Sequence, residues 1–117
     1  MNDEALGALL TRQEAADLLD VPVYQVRNLI KARAVLTVER EGQVYIPEIC
    51  FIQEDGQWSP EPALRGTLMA LGDLGLDTYE ARDWMVTYNE ELGGIPLVVL
   101  HHGSIHSVRR AIISTAL

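Results

Sequence analysis

The sequence predicts a mainly α fold: two short helices around a tight corner, a small β-hairpin, and then a small helical bundle. Three observations carry that expectation. Thr11 followed by Glu14 has the spacing of a capping box, in which hydroxyl and carboxylate satisfy free backbone N–H groups where a helix starts. Asp20-Val21-Pro22 interrupts the apolar pattern that follows, because proline lacks the N–H a continuing helix needs and biases the preceding residue away from helical geometry. Glu41-Gly42 then separates two β-rich runs, Leu36–Arg40 and Gln43–Ile46, as a short hairpin would.

The first helix is expected from Arg12 to Leu19 and the second from Val23 to Ala32. On the second, Val23, Val26 and Ile30 recur at helical spacing with Leu29 beside them, an inward stripe to set against Ala16, Leu19 and Val21. Small Ala15 and Ala16 allow a close crossing. The opposite face carries Tyr24, Arg27, Asn28 and Lys31, with Gln25 at its margin. Such groups reach base edges and phosphates: asparagine and glutamine pair with adenine, arginine with guanine, lysine and tyrosine with backbone phosphate. Together the parts read as a winged helix-turn-helix whose second helix lies in the major groove of double-stranded DNA. Arg40 and Gln43 then fall near the wing tip, within reach of backbone or minor groove, Arg33 just past the second helix is counted among the DNA-binding residues, and Arg12 and Gln13 face phosphate from the first helix. The plain alternative is that this face is only the solvated side of an amphipathic pair.

Here the chain resembles a known family. The order LT-x-x-EAA-x-LL, then V-P-x-x-x-VRNLI, then a hairpin ending in YIP, is similar to the excisionase- and MerR-type winged helix-turn-helix domains of small bacterial DNA-binding proteins. Two departures stand out: Asp20 occupies a turn position where many relatives carry glycine, and Arg33-Ala34 replace the glycine that often ends the recognition helix.

Bulk properties set the limits around this reading. At 117 residues the chain is one domain or two very small ones. No apolar run approaches the ~20 residues of a membrane-spanning helix, and Met1-Asn-Asp-Glu lacks the basic start of a signal peptide, so a cytoplasmic location is expected. Cys50 is the single cysteine, which excludes an internal disulfide and suits a core position. The net charge of −8 argues against nucleic-acid binding, since non-specific affinity comes from cations meeting phosphates. Its distribution softens the objection: from Val21 to Arg40 four cations meet one carboxylate, a local balance of +3, whereas ten carboxylates and four arginines follow residue 47.

Residues 1–9 are expected as a frayed arm or a lead-in to the first helix, with Leu6, Leu9 and Leu10 as a weak helical stripe that Gly7 interrupts. Pro47–Ile52 is a short helical turn or a strand, and the polar, Pro/Gly-bearing stretch Gln53–Pro62 is taken as a linker, dividing the chain into a DNA-binding unit at 1–55 and a helical unit at 60–117. In the second unit helices are expected from Ala63 to Leu74, stopped by Gly75, and from Thr78 to Val86, started by an Asp77/Glu80 box. A loop at 89–96 leads to a short helix at 97–100, and Ser104 caps a last helix through Thr115 with Ile105, Val108, Ile112 and Ala116 inward.

Gly72-x-x-Gly75, Asp83-Trp84, Asn89-x-x-Leu92-Gly93-Gly94-x-Pro96 and Val108-Arg109-Arg110 resemble the small C-terminal domain of actinobacterial winged helix-turn-helix proteins, and more distantly that of Xre-type antitoxins. The resemblance implies oligomerisation, as a homodimer, or binding of a protein partner, and nothing catalytic. Enzyme signatures are thin. His102 and His106 lie at i, i+4 beside His101, but without a metalloprotease pattern and with Gly103-Ser104 between them, so they read as a polar corner rather than a metal site. Trp58, Trp84, Tyr79 and Tyr88 lie in the acidic half, away from any basic groove for a single strand. No cofactor is expected. The leading function is a sequence-specific DNA-binding protein acting in transcription, and the alternative is a protein-interaction module or antitoxin-like partner.

Overall fold

A computed structural model describes residues 1–116. The capping box forms as the spacing requires: the Glu14 amide donates to Thr11 Oγ1 at 3.1 Å and the Thr11 amide donates to Glu14 Oε1 at 2.9 Å. From it α1 runs Arg12–Leu19, and α2 runs Val23–Lys31 after the corner. Val26 is fully buried, Ala15 and Ala16 seal the crossing, and Val23, Leu29 and Ile30 pack partly buried against the core.

The two departures from glycine are accommodated by strain. Asp20 and Arg33 both adopt left-handed backbone, with φ of 57° and 59°. Each sits just past a helix end in a double hydrogen-bonded turn: the Val21 and Asp20 amides donate to the Ala16 and Asp17 carbonyls, and the Ala34 and Arg33 amides donate to the Leu29 and Ile30 carbonyls. Two later helices end in the same pattern, but on Gly75 and Gly103.

The wing forms where expected, with β3 (Val38–Arg40) paired antiparallel to β4 (Gln43–Pro47). Glu41 and Gly42 between them both have positive φ, the mark of a type I′ turn whose twist matches the strands.

The N-terminus differs from the expected arm or helical lead-in. It is a hairpin, β1 (Asn2–Asp3) against β2 (Gly7–Leu10), and β2 then pairs with the wing, Leu9 opposite Pro47 and Leu10 opposite Ile46. The four strands form one sheet in the order β1-β2-β4-β3. Leu6, Leu9 and Leu10 suit a helix stripe by spacing alone, but Asp3 Oδ1 accepts from the Ala5 and Leu6 amides and turns the chain back before a helix can start.

The expected linker at 53–62 is also structured. After a 3-10 turn at Glu48–Cys50, strand β5 (Phe51–Glu54) pairs with β6 (Gln57–Pro60) around Asp55-Gly56, a second turn with two positive φ values. This hairpin lies against α1. Phe51 at its base is fully buried, and the buried side chains form one cluster reaching from Leu6 to Ile112. A radius of gyration of 13.7 Å is close to the roughly 13 Å of a single compact body this long.

Among the described residues four helices follow: α3 (Pro62–Asp73), α4 (Thr78–Val86), α5 (Pro96–His101) and α6 (Ile105–Thr115). Leu64, Leu68 and Leu71 are buried, while Leu74 and Met69 are exposed. The Asp77/Glu80 box closes on both sides. Ser104 occupies the cap position of α6 without a side-chain hydrogen bond, and Ala116 is exposed, so both differ from expectation; Val108, Ala111 and Ile112 carry the buried stripe.

Candidate nucleic-acid interface

The outer face of α2 is open. Tyr24, Gln25, Arg27, Asn28 and Lys31 are all exposed, Tyr24 by 56%. The inward stripe fixes which way the helix turns, so this exposure follows from Val26 being buried on the opposite side. The helix starts at Pro22 with no side-chain cap, which leaves its first amides directed at whatever approaches that end.

Crossing of α1 over α2 brings a further charge to the face. Arg12, Arg27 and Lys31, with Ile30 between them, line one shallow depression. Among the described residues none of the three has a carboxylate within salt-bridge distance, because the one ion pair lies elsewhere, between Arg40 and Asp3. Gln13 is one residue along α1, where its amide donates to Asp17 Oδ1 at 2.9 Å.

The wing residues are placed differently. Arg40 donates through Nε and Nη2 to Asp3 Oδ2 at 3.1 and 2.9 Å, and through Nη1 to the Glu39 carbonyl at 2.8 Å. Its charge is thus compensated, and Glu39 and Glu41 are exposed on either side. The wing tip therefore presents an arginine already paired rather than a free positive charge. The Asp3 carboxyl is held below its ordinary value of 3.8, first by the Leu6 amide and further by the Ala5 amide and the Arg40 guanidinium. Gln43 is exposed and accepts from the Tyr45 hydroxyl at 3.4 Å. Arg33 is turned away from the α2 face: it lines a separate pocket together with Gly72 and Arg82.

Sequence reasoning missed Asp3. Positions 3 and 40 meet only because β1 and the wing join the same sheet, and no local spacing signals that contact.

Among the described residues no cluster of three histidine, cysteine, aspartate or glutamate side chains is arranged to hold a metal. His101 ends α5, His106 lies in α6, and His101 and His102 meet edge to face with ring centroids 5.7 Å apart. Cys50 is fully buried and its thiol is pushed up to about 12 by that burial, which keeps it protonated and unreactive. Among the described residues no helix is long and apolar enough to cross a membrane.

The helix pair, the corner, and the sheet that carries the hairpin define a small winged helix-turn-helix protein of the DNA-binding class. Residues 2–51 match the family described as DNA-binding protein Rv2175c, wHTH domain, and residues 62–116 match the Rv2175c C-terminal domain of unknown function. The NMR structure of Rv2175c superposes with a TM-score of 0.74 at 27% identity, covering 100% of this chain and 85% of that one. No curated protein matches the chain.

Proposed function

We propose that this protein binds double-stranded DNA sequence-specifically and regulates transcription, with α2 in the major groove. One observation carries the reading: Arg12, Arg27 and Lys31, three cations with no carboxylate within salt-bridge distance among the described residues, converge on the exposed face that also presents Tyr24, Gln25 and Asn28, in a chain of net charge −8. In a molecule so acidic, cations gathered on one exposed face are positioned for an external anion, and amide side chains among them supply base-edge hydrogen bonds. Similarity to a protein described as DNA-binding supports the same conclusion. In this reading residues 1–55 contact DNA, Arg12 and Lys31 meet phosphates, and Arg27, Asn28 and Gln25 read bases. Gln43 and Arg40 meet the backbone once Arg40 leaves Asp3, and Arg33 supports the helix end. Residues 60–117 bring two copies together so that two half-sites are read.

The test is selection from a random duplex pool at two salt concentrations. An enriched motif with half-site spacing, and affinity that falls steeply with salt, is the expected result. No retention at low salt would overturn it. The second reading, a protein-interaction module, is favoured by the acidic surplus after residue 47 and by exposed Tyr79, Tyr88 and Ile113. It predicts recovery of one stoichiometric protein partner that DNA does not displace.

A further inference from the structure

Behind the recognition helix lies a partly enclosed pocket of about 60 Å³, walled by the end of α2, the link to the wing, and helices α3 and α4. Its floor is apolar, with Val35, Leu36, Leu68 and Ala81 all buried or nearly so. Two guanidinium side chains line it, Arg33 from the turn after α2 and Arg82 from α4. Neither has a carboxylate within salt-bridge distance among the described residues. Asp77 also lines the pocket, but its Oδ1 accepts from the Glu80 amide and serves the start of α4.

Arg82 is held in place by neutral contacts. Arg82 Nη1 lies 3.3 Å from Thr37 Oγ1, and its guanidinium carbon stands 4.9 Å over the Tyr79 ring. Arg33 Nη1 lies against Gly72, where a side-chain carbon would be 3.4 Å away. One positioned guanidinium, Arg82, and a second at the rim, Arg33, beside an apolar floor have the chemistry of a site for a small amphipathic anion, with donors for a carboxylate and a dry wall for an alkyl group.

We propose that this pocket binds a short-chain aliphatic monocarboxylate, its carboxylate between Arg33 and Arg82 and its alkyl chain on Leu68 and Ala81. The size follows from the volume, since a water-sized probe occupies about 10–15 Å³, so the space admits roughly four to six heavy atoms. The assignment rests on the pocket alone. It bears on the DNA reading only because Ile30 and Arg33, which line the pocket, belong to the recognition helix and its terminal turn.

The experiment is a methyl-detected NMR titration of the full chain, without DNA, using butyrate, n-butanol and n-butylamine as probes of equal length. Butyrate is expected to saturate shifts at the Leu68, Ala81 and Ile30 methyls with a dissociation constant on the order of 1 mM, at least tenfold tighter than butanol, while butylamine gives no saturable shift. Arg82→Gln should weaken butyrate roughly tenfold, a charge-assisted hydrogen bond being lost, and Arg82→Lys should fall between the two. Butyrate binding no better than butanol in the parent protein overturns the proposal, a comparison that does not depend on any variant folding. So does a folded Arg82→Gln chain that binds butyrate unchanged. Because DNA is absent throughout, either result leaves the DNA-binding reading to its own test.

Discussion

The Asp3 carboxylate grips the Arg40 guanidinium through two hydrogen bonds to one oxygen, at 2.9 and 3.1 Å, and so ties the first strand to the wing across 37 positions of sequence. The pair is partly exposed, so its contribution to stability is small, within about 1 kcal/mol. Its larger consequence is electrostatic: Arg40 is not available to an external phosphate while Asp3 holds it. Asp3→Asn should therefore strengthen DNA binding and steepen the salt slope by about one unit, as read by titration at several salt concentrations. An unchanged slope would mean that Arg40 never meets DNA.

The same carboxylate sets a pH dependence. Its pKa in the folded chain lies below 3.8, so the stabilisation is present above the unfolded-state value and is lost as pH falls through the lower folded value. Thermal melts of the parent and Asp3→Asn should differ by a constant amount near neutrality and converge in strong acid. A gap that persists at the acid end would assign the effect to the hydrogen-bonded turn rather than to the charge.

Strain at the corner gives a stabilising substitution. Asp20 is exposed and is held at φ 57°, a conformation glycine takes without penalty. Asp20→Gly should raise stability by about 0.5–1 kcal/mol in urea unfolding, since aspartate already tolerates this region better than most residues. A valine there should instead cost about 1–2 kcal/mol. If glycine proves neutral or harmful, the side chain of Asp20 supports the turn in a way its contacts do not reveal.

Phe51 joins the two halves of the chain. It is fully buried at the base of the second hairpin, in the cluster that reaches from Leu6 to Ile112. Phe51→Ala should cost about 3–5 kcal/mol and shift a single unfolding transition seen alike by probes in both halves. Two separate transitions would show that the halves fold independently.

On the recognition face, Arg27→Ala should cost roughly 1–3 kcal/mol and relax preference at one base pair, while Lys31→Ala should weaken all sequences alike and lower the salt slope by about one unit. Fluorescence anisotropy on matched and mutated sites separates the two behaviours. Parent-like binding by both variants would remove α2 from the interface.

Much of the helical architecture was legible in the sequence because its signals are local. Thr11/Glu14 and Asp77/Glu80 mark helix starts within four residues, Gly75 marks a stop, and apolar spacing orients α2 around Val26. One missed element had a local signal too: Asp55-Gly56 is a strong hairpin turn, hidden by the polar residues around it and by the prolines after it. The other miss had none. Gly7–Leu10 becomes a strand because the wing offers it an edge at Ile46 and Pro47, where Leu9 and Leu10 pair, while Leu6 is buried from the turn before it.

The sequence by itself determined the helix pair, the corner, the hairpin turn and the composition of the exposed face of α2, since each depends on contacts within a few residues. Tertiary structure alone decided how the charges are used. Sheet formation neutralises Arg40 against Asp3, the α1–α2 crossing sets Arg12 beside Arg27 and Lys31, and packing of α3 and α4 behind α2 sets Arg33 and Arg82 around one pocket. Charge interactions act through space between side chains far apart in the chain, so their pairing is settled only when the backbone has closed.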